Sequence, residues 1–144
     1  MPSLVTERIE SVKAGIVGAG AFSIAELVFL VVKDLIISLL LKPDATPFVF
    51  HWSWVIELAV GAVSGFLFGV TYRYIIRSDR NSHLNDGAVL AFGLVRGLAL
   101  IEKNLVLSEL LSLGGLVLQS IICFAIARTA LDLALARKLI KPFL

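Results

Sequence analysis

Three residues of this sequence carry chemistry in surroundings that do not favour it. Glu26, Glu57 and Arg96 are each a charge set within a run of apolar residues. An isolated charge in hydrocarbon costs about 2.5–3.5 kcal/mol even on the mildest scales, so charges at that depth need compensation. If Lys33, Trp52 and Glu102 mark one membrane face, Glu26 lies seven residues inside it, Glu57 five and Arg96 six. At the helical rise these are depths of about 10, 7 and 9 Å. Three charges from three different helices then share one level, and the spacing predicts a buried ion-paired cluster Glu26–Arg96–Glu57. Such a cluster either fixes helix register or serves as a proton or ion relay, or as a polar socket for a partner or ligand. Glu57 is shallow enough to snorkel toward water, which loosens its membership.

A second pattern is the glycine spacing. Gly61, Gly65 and Gly69 recur every four residues, and Gly93 and Gly97 repeat the interval. In a soluble helix each glycine costs about 1 kcal/mol relative to alanine. Between helices in lipid, small residues instead permit the close backbone approach that drives association. The two ridges are therefore helix-packing faces, used either within this protein or to dock another protein or a second copy. A third candidate is the segment Arg73, Arg77, Asp79, Arg80 and Asn81, which reads as a docking loop, an anionic-lipid contact or a solvated connection.

Other chemistries lack their residues. His51 and His83 are expected on opposite membrane faces and cannot share a metal, and no His/Cys/carboxylate group has ligand spacing. The lone Cys123 excludes an intramolecular disulfide. No nucleophile–base arrangement is visible, and the glycines at 15, 18 and 20 follow no predicted strand, as a dinucleotide fingerprint would require. No enzyme activity, cofactor or metal is expected. A net charge of +2 gives no extended basic face for nucleic acid. Glu7 and Glu10 spoil the basic start of a secretory signal, so no cleaved leader is expected.

The elements that must position these residues follow from composition. Of the 144 residues 58% are hydrophobic and 17% charged, with mean hydropathy +0.95. A short chain cannot bury that much apolar surface in its own core, so a lipid bilayer is the expected solvent. The predicted fold is all-α: a four-helix transmembrane bundle forming a single membrane domain over 1–144. Its spans are 14–32 (extending as far as 41), 52–76, 86–102 and 108–128, with 129–144 as an amphipathic tail. Trp52 and Trp54 at one end of the second span, and Tyr72 and Tyr74 at the other, match interfacial aromatics. The third span, at about 22 Å for its apolar part, is short enough to demand tilt or a thinned bilayer.

Charge asymmetry sets the orientation. Arg8, Lys13, Arg73, Arg77, Arg80, Arg128, Arg137, Lys138 and Lys141 fall on one side of a four-span map, against Lys33, Lys42 and Lys103 on the other. Nine against three places both termini on the cytoplasmic or stromal side.

Residues 68–99, "FGVTYRYIIRSDRNSHLNDGAVLAFGLVRGLA", resemble a family of small uncharacterised integral membrane proteins of cyanobacteria and plastids. The likeness centres on the end of the second span, the arginine loop and the glycine/arginine third span. It implies a thylakoid or cyanobacterial membrane and a role around photosynthetic complexes, and it carries no activity onto individual residues. The expected function is a non-catalytic interaction protein, an accessory subunit or assembly factor of a larger membrane complex, with a membrane-protein partner or self-association. The alternative is a small oligomeric transporter or proton or ion channel using Glu26 and Arg96.

Overall fold

In the computed structural model of the protein, Ser3 opens the first helix. Its hydroxyl accepts the Thr6 amide at 3.3 Å, which satisfies one of the donors that a helix start leaves unpaired. The structure describes residues 3–41, 52–76, 81–103 and 110–143. They form four helices: α1 (Leu4–Leu41), α2 (Trp52–Ile75), α3 (Ser82–Lys103) and α4 (Leu110–Ala136). Each is long and apolar enough to cross a membrane, and the chain is an integral membrane helical bundle.

Helix bounds differ from the sequence expectation in three informative places. α1 reaches Leu41, the full extent expected, but begins at Leu4 instead of residue 14, and this 38-residue helix of about 57 Å must outreach a hydrocarbon core of about 30 Å. α3 begins at Ser82, because the Asn81 side chain accepts the His83 amide at 3.2 Å and caps it. The added polar turn gives α3 22 residues, about 33 Å, so it spans without thinning the bilayer. α4 runs on to Ala136, where the expected amphipathic helix ends in a reversal. The Leu139 amide bonds back to Ala134 and that of Lys138 to Leu135, with Lys138 left-handed at φ 57°.

Packing follows the placement of small residues. α1 lies along α2 and against α4, and α3 lies along α4; α2 and α3 meet only sparsely, and the backbones of α1 and α3 do not approach. Large aliphatics such as Ile24, Val63, Val95 and Leu118 face outward, while the interior collects small, aromatic and charged groups. At its centre each helix contributes one phenylalanine. Phe22 and Phe124 have ring centroids 4.6 Å apart, Phe68 stands 5.2 Å from Phe124, and Phe92 lies 5.3 Å from Phe68. This aromatic plug fixes the mid-plane of the bundle, with polar groups arranged at levels on either side.

Candidate functional site: two polar clusters flanking an aromatic plug

The glycine ridges position everything else. A Cβ on Gly69 would collide with the carbonyl of Ala14, one on Gly65 would lie 2.7 Å from the carbonyl oxygen of Gly18, and one on Gly61 would reach Phe22 and the Glu26 carboxylate. α1 and α2 therefore run antiparallel in contact, stepping Ala14/Gly69, Gly18/Gly65 and Phe22/Gly61. On the other pair, a Cβ on Gly93 would come within 2.8 Å of the Ile121 Cα, and one on Gly97 within 2.7 Å of the Val117 Cα. All five glycines face neighbouring helices of this chain. One helical turn beyond Phe22/Gly61, the same step sets Glu57 opposite Glu26.

Arg96 reaches Glu26 from α3, although the backbones of α1 and α3 stay apart. Its guanidinium passes over the Phe22 ring, 5.0 Å from the centroid, and pairs with Glu26 Oε1. Both side chains are buried, at 8% and 5% exposure, so the pair is screened little and holds helices that would otherwise not be joined. The other oxygen, Oε2, has no hydrogen-bond partner and lies against Gly61. Glu57 is half-buried and makes no ion pair among the described residues. The structure thus brings Glu26 and Arg96 together directly and leaves Glu57 beside them. On α4 the Phe22/Phe124 contact, carried one antiparallel turn further, brings Ser120 to the Glu26 level. Its hydroxyl is also buried without a partner.

The second cluster is centred on Arg73 and changes its expected role. The sequence reads Arg73 as part of a docking loop, an anionic-lipid contact or a solvated connection. Instead it ends α2 and is 1% exposed. Its Nη2 meets Glu7 Oε2 at 2.6 Å, Nη1 donates to Ser11 Oγ at 2.7 Å, and Nε donates to the Lys141 carbonyl at 2.9 Å. One planar fork therefore joins the start of α1, the end of α2 and the chain after α4, which a point-charge lysine could not do. The reversal after Ala136 brings that segment home. Ile140 is buried, the Lys141 amide donates to Glu10 Oε2 at 2.8 Å, and Phe143 packs on Tyr74 with centroids 5.0 Å apart. Asn81 is exposed and caps α3, while Arg77, Asp79 and Arg80 lie outside the described residues.

The neighbouring residue, Tyr72, turns the opposite way. It was expected at the lipid interface, yet it is fully buried, and its hydroxyl donates to Asp132 Oδ1 at 2.6 Å. Asp132 sits 3.6 Å from Arg128, which also pairs with Asp86 of α3. Tyr72 and Arg73 together tie α2 to α1, α4 and the segment after α4, and Arg128 of α4 carries the connection to α3. The sequence reading gave Glu7, Glu10, Ser11, Asp86, Asp132 and Ile140 no part in a buried cluster. The available signal was the positioning of Glu7, Glu10 and Ser11 three or four residues apart on one face of α1.

At the aromatic level, the sparse meeting of α2 and α3 leaves a lateral cleft of about 590 Å³ lined by Ser64, Leu67, Ala91, Phe92 and Arg96, among others. A second cavity of about 470 Å³ shares Ala91 and Phe92 and continues it toward Asn81 and His83. No protein-family model matches this sequence, and comparison with curated proteins and with solved structures returns no match.

Proposed function

We propose that this protein is a non-catalytic integral membrane interaction protein, an accessory subunit or assembly factor that seats a transmembrane helix of a larger complex between α2 and α3. The lateral cleft carries the reading. It follows the α2–α3 seam from Asn81 to Leu100, and Ser64, Gly87, Ala91 and Ala99 give it small-residue walls. In lipid those side chains allow a helix backbone to approach where a bulky wall would hold it off. The glycine ridges are not available for this purpose, since they close the α1–α2 and α3–α4 contacts. A through-bundle conduit is disfavoured by the four phenylalanines that fill the centre between the two polar levels. The resemblance over residues 68–99 adds the expectation of a thylakoid or cyanobacterial membrane and a photosynthetic complex as partner, and the positive-inside charge bias adds stromal or cytoplasmic termini.

A photo-crosslinking residue at Val95, on the cleft wall, tests the reading in native membranes, with Ala91→Trp as the variant that fills the cleft. The parent should crosslink to one membrane protein, and Ala91→Trp should lose that adduct while keeping its thermal stability in detergent. Crosslinks to lipid alone, or the same protein adduct in both forms, would sink the proposal.

A further inference from the structure

Glu26, Arg96 and Glu57 make an unbalanced set. Two carboxylates share one guanidinium, so the fully ionised cluster carries one excess negative charge at membrane depth. Excess charge there is strongly disfavoured, and the described neighbours offer no second cation to remove it. On α1 the next charge is Lys33, seven residues and about 10 Å along the helix. On α3 Arg96 is the only charge between Asp86 and Glu102. From α4 the facing groups are Ser120 and the neutral Cys123 thiol, and Leu110–Ala127 contains no charge at all.

Geometry locates where the imbalance is resolved. Arg96 occupies Glu26 Oε1 and leaves Oε2 unpartnered on a residue only 4% exposed. Oε2 points at the α2 surface, where Gly61 leaves room for it. Glu57 lies four residues before Gly61, on the same face of α2, and opposite Glu26 in the α1/α2 register. A buried carboxylate oxygen without a donor is costly to maintain, and a second carboxylate beside it makes one proton the smallest group that serves both.

We propose that Glu26 and Glu57 form a proton-binding carboxylate pair that holds one proton at neutral pH, with Arg96 as its fixed counter-charge. A hydronium ion delivers the proton at the Glu57 side, an O–H bond forms on one carboxylate, and water is released. The second carboxylate accepts the resulting hydrogen bond, and the cluster becomes neutral. Glu57 is half-buried and five residues from Trp52, which makes it the more accessible of the two carboxylates, since Glu26 is only 4% exposed. The site exists whether or not a partner helix occupies the cleft, so its test is separate from that of the partner reading.

Infrared spectroscopy of the purified protein in lipid nanodiscs tests this directly, in sodium-free buffer at pH 7. The parent should show a protonated-carboxyl carbonyl band that shifts in heavy water and disappears as the pH is raised. Glu57→Gln should abolish the neutral-pH band, because Glu26 and Arg96 then balance as a simple ion pair. Glu26→Gln should abolish it as well, with Glu57 pairing to Arg96. Glu57 is partly exposed, so its variant keeps the test decisive if Glu26→Gln fails to fold. Absence of the band from the parent at pH 7, or its persistence in Glu57→Gln, would overturn the proposal. Loss of the band on adding sodium would overturn it in favour of a monovalent-cation site.

Discussion

Replacing Arg73 by methionine keeps the volume at the end of α2 and removes every donor. Nη1 also donates to the Glu7 carbonyl at 3.2 Å, and adding the four hydrogen bonds one by one, at about 1.5–3 kcal/mol each for a charged group, would predict an implausible 6–12 kcal/mol. The partners left behind set a better figure. Ser11 Oγ still donates to the Glu7 carbonyl at 3.0 Å and meets Tyr74 Oη at 3.3 Å, so it is not orphaned. Lys141 is exposed, and water can replace the lost donor at its carbonyl. That leaves the Glu7 carboxylate, 19% exposed and able to hydrate in part. Breaking a buried ion pair costs about 3–5 kcal/mol, and this hydration puts Arg73→Met at the lower end, about 3 kcal/mol. Arg73→Lys should keep the Glu7 pair, lose the fork to Lys141, and cost about 1–2 kcal/mol.

Equilibrium unfolding in mixed micelles measures these differences, and hydrogen exchange over residues 137–143 locates them. The chain after Ala136 should lose protection in Arg73→Met before the helices do, because it is held from outside itself. Its ties are the Glu10–Lys141 amide bond, the Arg73–Lys141 carbonyl bond and the packing of Ile140 and Phe143. A variant within about 0.5 kcal/mol of the parent, with residues 137–143 still protected, would refute the assignment of Arg73 as the clamp.

Two further outcomes follow from the packing and the charge bias. Gly65→Leu should insert into the membrane normally yet lose about 1–3 kcal/mol, because even its Cβ would stand 2.7 Å from the Gly18 carbonyl and α1 must move off α2; unchanged unfolding would show that the ridge is merely permissive. With Cys123 replaced by serine, cysteine probes at Ser3 and Ser82 should label from one side of sealed membranes and a probe at Thr46 from the other; labelling of Ser82 and Thr46 from the same side would rule out four spans.

Much of this architecture was legible in the sequence because lipid makes the code simple. A run of apolar residues long enough to span must be a helix, and glycines every four residues must face another backbone. The Glu26–Arg96 pair came from depth counting alone, since a charge at that level has few places to go. The Arg73 hub was not legible in the same way. Counted along the chain, Arg73 stands at a helix end beside Arg77 and Arg80, where the positive-inside pattern explains it without any buried partner. Its partners come from residues 7, 11 and 141, and the last arrives only because the chain reverses at Lys138. That residue is left-handed without being glycine, so the usual sequence mark of a helix stop was missing. Tyr72 misled for a related reason. A tyrosine near a membrane face usually anchors in the headgroups, but here the ring is buried and its hydroxyl donates to Asp132, an exposed residue of α4.

The two ends of the bundle are secured by unequal means. At the Arg73 end, α2 bonds to α1, to α4 and to the segment after α4, and Arg128 carries the connection on to Asp86 of α3. Beyond the phenylalanines, the only described ion pair joining α3 to the α1–α2 pair is Arg96 with Glu26. The same arginine lines the lateral cleft, so in the two proposals its side chain is both part of the wall of the helix seat and the fixed charge of the carboxylate pair. A helix lying in that seat would pack against Arg96 and confine its guanidinium beside Glu26, where both side chains are already buried and their attraction is little screened. Protonating Glu26 itself would weaken the same attraction and free α3 to shift against α2. Under the two proposals, occupation of the cleft and the position of the proton would meet at one guanidinium, while the proton site itself exists with the cleft empty or filled.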